Sequence, residues 1–514
     1  MTTEIAVAPR TKNRFRIDAV AMFVYLSVCH AWALNLRPLG KDFAILAGAD
    51  STVTPFLRLL VDAQVQCFGE NPLGYRLVAF ALLYACMLLV YGWVKRMHPG
   101  GPYWLGTLAA TMFMAIPVHA DGVFHLTSVT TLAPAFAALL ALYLHATAAL
   151  DGGRAKHALA LAAFILASGF FPGTRGLALV IPMVEFFVLR PRWQDSLPRA
   201  LSVALIGAAI WALQGFPLPA LAVPLAQSIS PLYFVFYPIG FLPEIAHLFH
   251  AHPWTGWAAF AAVAATILLI LRAARRPLIL FGLCAMVAYR FAGGVGPVDP
   301  VHLVGGGHLL VETALFCVTL TALFKRMMEH PKWKRFVVNG TSMLCLLYFA
   351  LTIQAVSAWR LASASVAAFQ AQAQAEASRT NAALLLVPDY RYYRGAPMAL
   401  SEAISFDTPF SKPLEHLSLL RLHYDTEAAA ALSVAQPARG EVSVAMDFKA
   451  SRGLAVWPYA LLNTGDSSVT GDVQASVRSA TADRTEISIR YDESPGATLL
   501  IPFADAPPAP GVIP

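Results

Sequence analysis

The stretch from residue 77 to residue 94 reads LVAFALLYACMLLVYGWV, which is 18 consecutive residues without a charged side chain. A helix of this length rises about 27 Å, close to the ~30 Å thickness of the hydrocarbon core of a bilayer. Lys95 and Arg96 follow directly, and basic residues are typical of the cytoplasmic end of a span. The stretch therefore predicts a membrane-spanning helix.

The rest of the chain repeats this apolar character. Of its 514 residues, 57% are hydrophobic and only 13% are charged, whereas about 25% are charged in soluble globular proteins. The apolar segment 221–249 is expected to lie along the outer membrane surface or to dip into it. The other apolar blocks predict a mainly α, polytopic membrane protein with about eleven spans, at 17–36, 77–94, 104–118, 126–149, 158–171, 177–189, 200–216, 254–271, 278–291, 309–324 and 336–356.

The positive charges set the orientation, because short cytoplasmic loops are enriched in Lys and Arg. With the N-terminus inside, the inner segments hold 19 basic residues and the outer segments of the membrane part hold six. The inner set is Arg10, Lys12, Arg14, Arg16, Lys95, Arg96, Arg154, Lys156, Arg190, Arg192, Arg199, Arg272, Arg275, Arg276, Lys325, Arg326, Lys332, Lys334 and Arg335. The outer set is Arg37, Lys41, Arg58, Arg76, Arg175 and Arg290.

This orientation predicts four regions. Residues 1–16 form a cytoplasmic segment, 17–356 the transmembrane domain, 357–505 an extracytoplasmic domain and 506–514 a Pro-rich, disordered tail. The Ala-rich composition is typical of a bacterium with a GC-rich genome. We therefore expect a multi-pass protein of the bacterial inner (plasma) membrane with a periplasmic C-terminal domain.

The net charge of +7 does not indicate nucleic-acid binding. Residues 1–356 hold 25 Lys and Arg against 14 Asp and Glu, whereas residues 357–514 hold 12 against 16. The excess therefore belongs to the membrane part, where membrane lipids are the expected partners. Five of the six cysteines lie in apolar blocks, without the spacing of a disulfide framework or a zinc site. The sequence predicts no metal and no cofactor.

The C-terminal region changes character after residue 356. Residues 359–377 are helix-like, and a short apolar run at 382–387 ends at Pro388. Apolar residues alternate at 442–448 and 487–491, as in half-buried strands, and 499–501 is another candidate strand. The pattern predicts a small α+β or β-rich soluble domain.

Polar residues concentrate in the loops that are predicted to face outward, so any site is expected to open there. Each has a structural alternative: Asp42 is equally consistent with a solvated loop residue, and Arg175 is either a forked phosphate ligand or a lid on backbone carbonyls. Glu185, inside a predicted span, is expected to reach the inner interface. The outer candidates are Asp42, Arg76, His119, Asp121, Arg175, Arg290, His308 and Glu312.

The order of these segments resembles the GT-C superfamily of membrane glycosyltransferases. The nearest resemblance is to the membrane half of the tetratricopeptide-containing O-mannosyltransferase-like proteins, over residues 17–377. The segments that carry it are 41–46 (KDFAIL), 68–78 (FGENPLGYRLV), 116–123 (IPVHADGV), the helix 177–189 after the turn 174–176, 231–240, and Trp359 with Arg360.

The resemblance implies transfer of a sugar from a polyprenyl-phosphate lipid to an acceptor on the outer face. Asp42 would act as the catalytic base, and Arg175, with Arg76 or Arg290, would bind the lipid phosphate. The remaining candidates would orient the substrates: His119, Asp121, His308 and Glu312.

Some departures from the family pattern motivate an alternative. Lys41 stands where the family commonly has a second acidic residue, Arg76 replaces the usual His, and the helical repeats are absent. The alternative is a catalytically degenerate GT-C scaffold, or a subunit of a membrane or envelope complex with protein partners. A transporter is disfavoured, because the polar residues are not at mid-membrane and no inverted repeat is visible.

Overall fold

The structure is a computed structural model that divides into two compact units. The first comprises Met1–Asn35, Ser51–Pro238 and Ala259–Val356, and the second comprises Leu36–Asp50, Ile239–Ala258 and Ser357–Pro514. The residues described are 10–98, 102, 104–116, 120–189, 193–214, 282, 284–286, 288–289, 309–329, 331–379, 384–390, 392–393, 396–397, 400–414, 418–424, 429–438, 441–448, 467–470, 473–480, 484–491 and 498–500.

Helices dominate the described part of the first unit. A turn of 3-10 helix at Pro172–Gly176 and a π-helical segment at Val184–Leu189 flank α9. The helices of the whole chain are α1 (Arg10–His30), α2 (Asp42–Leu46), α3 (Pro55–Phe68), α4 (Pro72–Met97), α5 (Trp104–Ala115), α6 (Ala120–Val123), α7 (Val129–Asp151), α8 (Arg154–Phe170), α9 (Leu177–Met183), α10 (Trp193–Gln214), α11 (Leu310–Met328), α12 (Pro331–Arg379) and α13 (Leu400–Ser405).

Five helical stretches among the described residues are long and apolar enough to cross a membrane: Phe15–Ala33, Pro72–Met97, Val129–Asp151, Ser196–Gln214 and Pro331–Ala375. The prediction of a helical, multi-span membrane protein is thus confirmed, and the count of eleven stays a prediction. The predicted span 254–271 and the segment 221–249 lie outside the described residues.

Helix α7 is the most enclosed of these five stretches. In its apolar window 72% of the residues are buried, against 22% in α1. It packs mainly against α4 and α8. Helix α1 instead exposes apolar side chains along one side, among them Ile17, Val20 and Trp32, as expected of a helix that faces lipid.

The ends of α4, α7 and α8 meet at Asp151. Its carboxylate lies 3.0 Å from Arg96 Nη1 and 2.7 Å from Lys156 Nζ. Exposed pairs of this kind contribute little stability. They nevertheless place two of the predicted cytoplasmic loops at one end of the bundle, called here the Asp151 end.

The second unit contains the strands. The order β5-β6-β9-β8-β7 forms an antiparallel sheet, β10-β1-β4 forms a parallel sheet, and β2 and β3 pair antiparallel. The strands are β1 (Leu384–Tyr390), β2 (Tyr392–Tyr393), β3 (Ala396–Pro397), β4 (Ser418–Tyr424), β5 (Ala429–Ala438), β6 (Glu441–Phe448), β7 (Ser467–Thr470), β8 (Val473–Ala480), β9 (Arg484–Tyr491) and β10 (Thr498–Leu500).

The two alternating segments of the sequence are neighbouring strands, since β6 pairs with β9 and Val444 lies opposite Ile487. The short apolar run at 382–387 belongs largely to β1. Strand β1 continues to Tyr390, with Pro388 opposite Leu422 of β4. A proline removes only its own N–H donor, so its neighbours can still pair.

Glu441 is the most strongly paired carboxylate described in the antiparallel sheet. It accepts a hydrogen bond of 2.7 Å from the Ser488 hydroxyl and forms an ion pair with Arg478. The Ser488 bond, together with the charges of Arg478 and Arg490, lowers the pKa of Glu441 below its ordinary value of 4.5. Its stabilising effect is therefore complete above about pH 4.5 and is lost as the pH falls through the lowered value.

We expect Glu441→Gln to raise amide hydrogen exchange in β6 and β9 at pH 7, because the variant lacks the charged acceptor. The difference from wild type should shrink as the pH falls below about 4.5, where wild type itself takes up the proton. Exchange measured by mass spectrometry on the full-length protein, with each pH compared between the two proteins, tests this. A difference that does not change with pH would contradict it.

Candidate outer-face site

Buried polar side chains gather at the end of the bundle opposite the Asp151 end. Arg76, Asp121, His125 and Thr131 are each less than 10% exposed. They come from the first turn of α4, from α6, from the loop after α6 and from the first turn of α7. In the predicted topology this end faces outward.

Arg76 holds the loop after α6. Its Nη1 donates to the carbonyl oxygen of His125 at 2.9 Å and lies 3.5 Å from that of Val123. Thr131 holds the same segment from the other side, because its hydroxyl donates to the Gly122 carbonyl at 2.6 Å. The guanidinium that we predicted to contact phosphate therefore contacts backbone carbonyls.

Asp121 pairs with His125. The Asp121 Oδ1 and His125 Nε2 atoms are 3.1 Å apart, and both side chains are buried. The sequence analysis did not select His125 as a site residue. The spacing of four residues was the available signal, since it places two side chains on one face of a helical turn.

Arg175 lies in the 3-10 turn between α8 and α9 and is 8% exposed. The neighbouring Thr174 is 2% exposed, and its hydroxyl donates to the Phe171 carbonyl at 2.9 Å. Next to this turn is a small recess, called here the outer recess, with room for about one water molecule. It is lined by Thr130, Thr131, Pro134, Ala135, Phe171, Thr174, Tyr289, Leu310 and Val311.

The lining combines three threonines, whose hydroxyls donate to backbone carbonyls, with two aromatic rings and four aliphatic residues. Glu312 follows Leu310 and Val311 in the first turn of α11 and is fully buried. Arg175 and Glu312 are thus sequence neighbours of residues that line the outer recess. Neither Arg175 nor Glu312 is itself part of the lining.

The turn that carries Arg175 can form only because residue 176 is glycine. A methyl group on Gly176 would overlap the carbonyl oxygen of Tyr289 and lie 2.8 Å from its carbonyl carbon. Both atoms are backbone and cannot rotate away. The close approach fixes the turn against Tyr289.

Gly176→Ala should therefore destabilise the protein by about 1–3 kcal/mol through overpacking, and should displace the Arg175 turn. Thermal unfolding of the purified protein measures the effect. Gly340→Ala in α12 is the matched control, because a methyl group there meets nothing within 4 Å and alanine favours helix by about 1 kcal/mol. Equal melting temperatures for the two variants would contradict the prediction.

Asp42 belongs to the second unit, where it is the first residue of α2 and is fully buried. Its Oδ2 accepts a hydrogen bond of 2.9 Å from the backbone N–H of Leu39. Gly40, with φ of 52°, lets the chain turn there, and a methyl group on it would lie 3.0 Å from Cβ of Pro397. The first loop is therefore packed and ordered around Asp42.

Three predicted site residues, His119, Arg290 and His308, lie outside the described residues. Within the described part of the chain, no three or more His, Cys, Asp or Glu side chains are arranged to hold a metal ion.

The expectation that Glu185 reaches the inner interface is wrong. Its side chain is fully buried. The Oε2 atom lies 2.8 Å from His145 Nε2, and the Oε1 atom accepts from Arg199 Nε at 2.7 Å. These partners, 40 and 14 residues away in the chain, let the carboxylate stay inside the protein.

No protein-family model matches the chain, and no curated protein matches it. Among solved structures, the chain is similar to the archaeal oligosaccharyltransferase AglB from Archaeoglobus fulgidus, in complex with an inhibitory peptide and a dolichol-phosphate. The TM-score is 0.38 and the sequence identity 12%, over 77% of this chain and 60% of that chain. The chain thus matches less than two thirds of the length of AglB.

Proposed function

We propose that this membrane protein is a glycosyltransferase of the GT-C type, which moves a sugar from a polyprenyl-phosphate lipid to an acceptor on the outer face of the bacterial inner membrane. The observation that supports this best is the buried Arg175, in the turn next to the outer recess, at the end of the bundle opposite the basic Asp151 end. Its ligands would reach it from the periplasmic side.

In this reaction the bond between the anomeric carbon and the phosphate oxygen breaks, and a bond from that carbon to the acceptor oxygen forms. The lipid phosphate leaves as an anion. Arg175, assisted by Arg290, stabilises the charge that builds up on the phosphate oxygens, because a guanidinium offers paired donors to them. Arg76, on the carbonyls of the loop after α6, supports this wall of the site.

The acceptor hydroxyl loses its proton as it attacks, and Asp42 is the proposed base that receives it. His119, Asp121, His308 and Glu312 are the proposed groups that orient the sugar and the acceptor. The assignment of Asp42 rests on the resemblance of residues 41–46 to the first-loop motif of the family.

Arg175→Ala should weaken binding of an added polyprenyl phosphate by about 10- to 100-fold. This is the loss expected for one charge-assisted contact of about 1.5–3 kcal/mol. The affinity of Arg175→Lys for the lipid phosphate should lie between those of wild type and Arg175→Ala, because an ammonium lacks the forked geometry of a guanidinium. Native mass spectrometry of the purified protein, titrated with the lipid phosphate, measures the affinities.

Arg58→Ala is the control for this titration. Arg58 also lies on a predicted outer segment, but it is partly exposed and pairs with Asp62 at 2.8 Å. Its replacement should leave the affinity unchanged. If Arg175→Ala binds the lipid phosphate as tightly as Arg58→Ala does, the phosphate role of Arg175 is wrong.

A second candidate function is a non-catalytic scaffold of the same type, within a membrane or envelope complex. The observation that favours it is that Arg76 and Asp121 already have partners within the protein, the His125 carbonyl and the His125 ring. Protein partners that co-purify in stoichiometric amounts, with no lipid phosphate bound, would support the scaffold instead of the enzyme.

A further inference from the structure

A second polar cluster lies inside the bundle near the Asp151 end, away from the outer recess. Its five side chains come from four helical segments: His145 from α7, His157 from α8, Glu185 from the π-helical segment, and Arg199 and Ser202 from α10. Glu185 is fully buried and His145 is 1% exposed. π-helical segments are rare and are frequent at functional sites.

The hydrogen bonds fix where the hydrogens are. Glu185 accepts from His145 through Oε2 and from Arg199 through Oε1, so Nε2 of His145 carries a hydrogen. Ser202 donates its hydroxyl hydrogen to the Arg199 carbonyl at 2.7 Å. Nε2 of His157, 2.8 Å from that hydroxyl oxygen, must therefore donate to it. In both imidazoles only Nδ1 is left to take up a proton.

Both Nδ1 atoms are buried, and neither has a hydrogen-bond partner among the described residues. The two rings are 5.7 Å apart. With neutral imidazoles the charges of Glu185 and Arg199 cancel. A proton on His157 would leave an N–H group buried without an acceptor and would add a positive charge near Arg199.

Of the charged groups described at this end, Glu185 offsets part of such a charge, and those nearer the helix ends do not. Asp151 at the end of α7 is already shared by Arg96 of α4 and Lys156 of α8, and Arg154 of α8 is exposed. His157 precedes the predicted span 158–171. Burial, with the charges of His145 and Arg199, lowers the pKa of His157 below its ordinary value.

We infer that this cluster is an acid-sensitive lock at the predicted cytoplasmic end of the bundle. With both imidazoles neutral, Glu185 and Ser202 connect α7 and α8 to the π-helical segment and α10. A proton on His157 puts a second positive charge near Arg199 and a buried N–H group without an acceptor inside the bundle, which weakens the packing of these helices. The ligand of the site is a proton, and the site does not depend on the proposed transferase activity.

The lock is connected to the Arg175 turn by a short stretch of helix. Ten residues separate Glu185 from Arg175, along α9 and the start of the π-helical segment, which is about 15 Å at the rise of a helix. The helices α7 and α8 also run from the cluster to Thr131 and Phe171 of the outer recess. Loosening at the Asp151 end should therefore loosen the Arg175 turn.

A buried ion pair is seldom retained for stability alone, because well-packed apolar side chains of similar volume are often as stable. Ionisable residues inside a membrane domain are accordingly treated as functional until shown otherwise. Here His157 makes the cluster sensitive to acid, since its pKa lies below the ordinary imidazole value of 6.5.

Hydrogen exchange of residues 172–189 in the full-length, detergent-purified protein tests the lock. After correction for the intrinsic pH dependence of exchange, the protection of wild type should fall about tenfold between pH 7.5 and pH 5.5. This is the response expected when the opened state takes up one proton with the ordinary imidazole pKa of about 6.5, because pH 5.5 lies one unit below that value. The double variant His145→Gln/His157→Gln keeps amide donors to Glu185 and Ser202 without a titrating ring, and should show no such loss.

Two further variants complete the test. His157→Gln alone serves if the double variant does not fold, and should reduce the loss of protection. Arg96→Gln breaks an exposed pair at the same end and should keep the full loss. An equal pH response in wild type and in the histidine variants, or no response in wild type, would overturn the lock.

Discussion

Replacing Asp42 by asparagine should lower the rate of sugar transfer by about 10²- to 10⁴-fold, the usual contribution of a general base, and should leave the fold intact. The asparagine carboxamide oxygen can still accept the N–H of Leu39, which the Asp42 carboxylate accepts at 2.9 Å. The amide cannot take up the proton of the acceptor. Chemistry and local structure are therefore separated in this variant.

The measurement is the release of polyprenyl phosphate from a labelled lipid-linked sugar, in membranes that contain the native acceptor. Thermal unfolding of the purified variant is recorded beside it. Asp50→Asn, in the same packed loop, is the control and should keep the wild-type rate. Full activity of Asp42→Asn would remove Asp42 as the base. Lost activity together with a large drop in melting temperature would assign it a structural role.

Glu185→Ala should destabilise the protein by about 3–5 kcal/mol, the cost of breaking a buried pair at one partner. The change leaves the Arg199 guanidinium and the His145 N–H inside the bundle without their acceptor. The double variant Glu185→Leu/Arg199→Leu should recover much of the loss, because it removes both charges and fills the space with apolar groups.

Thermal unfolding in detergent measures these effects. Asp151→Ala is the matched control, since it breaks two ion pairs that are exposed and should cost at most about 1 kcal/mol. If Glu185→Ala and Asp151→Ala melt at similar temperatures, the carboxylate does not hold the helices together.

Hydropathy was sufficient to predict the helices that consist of one long apolar block of sequence. The stretch 77–94 lies within α4, and the predicted span 126–149 largely coincides with α7. Helix α3, Pro55–Phe68, was missed because it is amphipathic and short, so no long apolar block marks it. The predicted span 336–356 and the predicted helix 359–377 are one helix, α12, since no proline or glycine separates them.

The candidate site was predictable only residue by residue. The outer positions of Asp121 and Arg175 followed from the topology, and the four-residue spacing signals the pair of Asp121 with His125, but the long-range contacts were not predictable. Arg76 reaches the His125 carbonyl, 49 residues away in the chain, and the two histidines of the inner cluster approach Glu185 through the packing of separate helices. Such contacts depend on tertiary structure, which neither composition nor spacing specifies.

The most direct test of the proposed function is mass spectrometry of the lipids extracted from the purified protein, for wild type, Asp42→Asn and Arg175→Ala. We predict that a polyprenyl phosphate or its glycosylated form co-purifies with wild type, that the glycosylated form accumulates on Asp42→Asn, and that both are depleted on Arg175→Ala. Only bulk phospholipid on all three proteins would contradict the assignment of the outer recess to a lipid-phosphate-linked sugar.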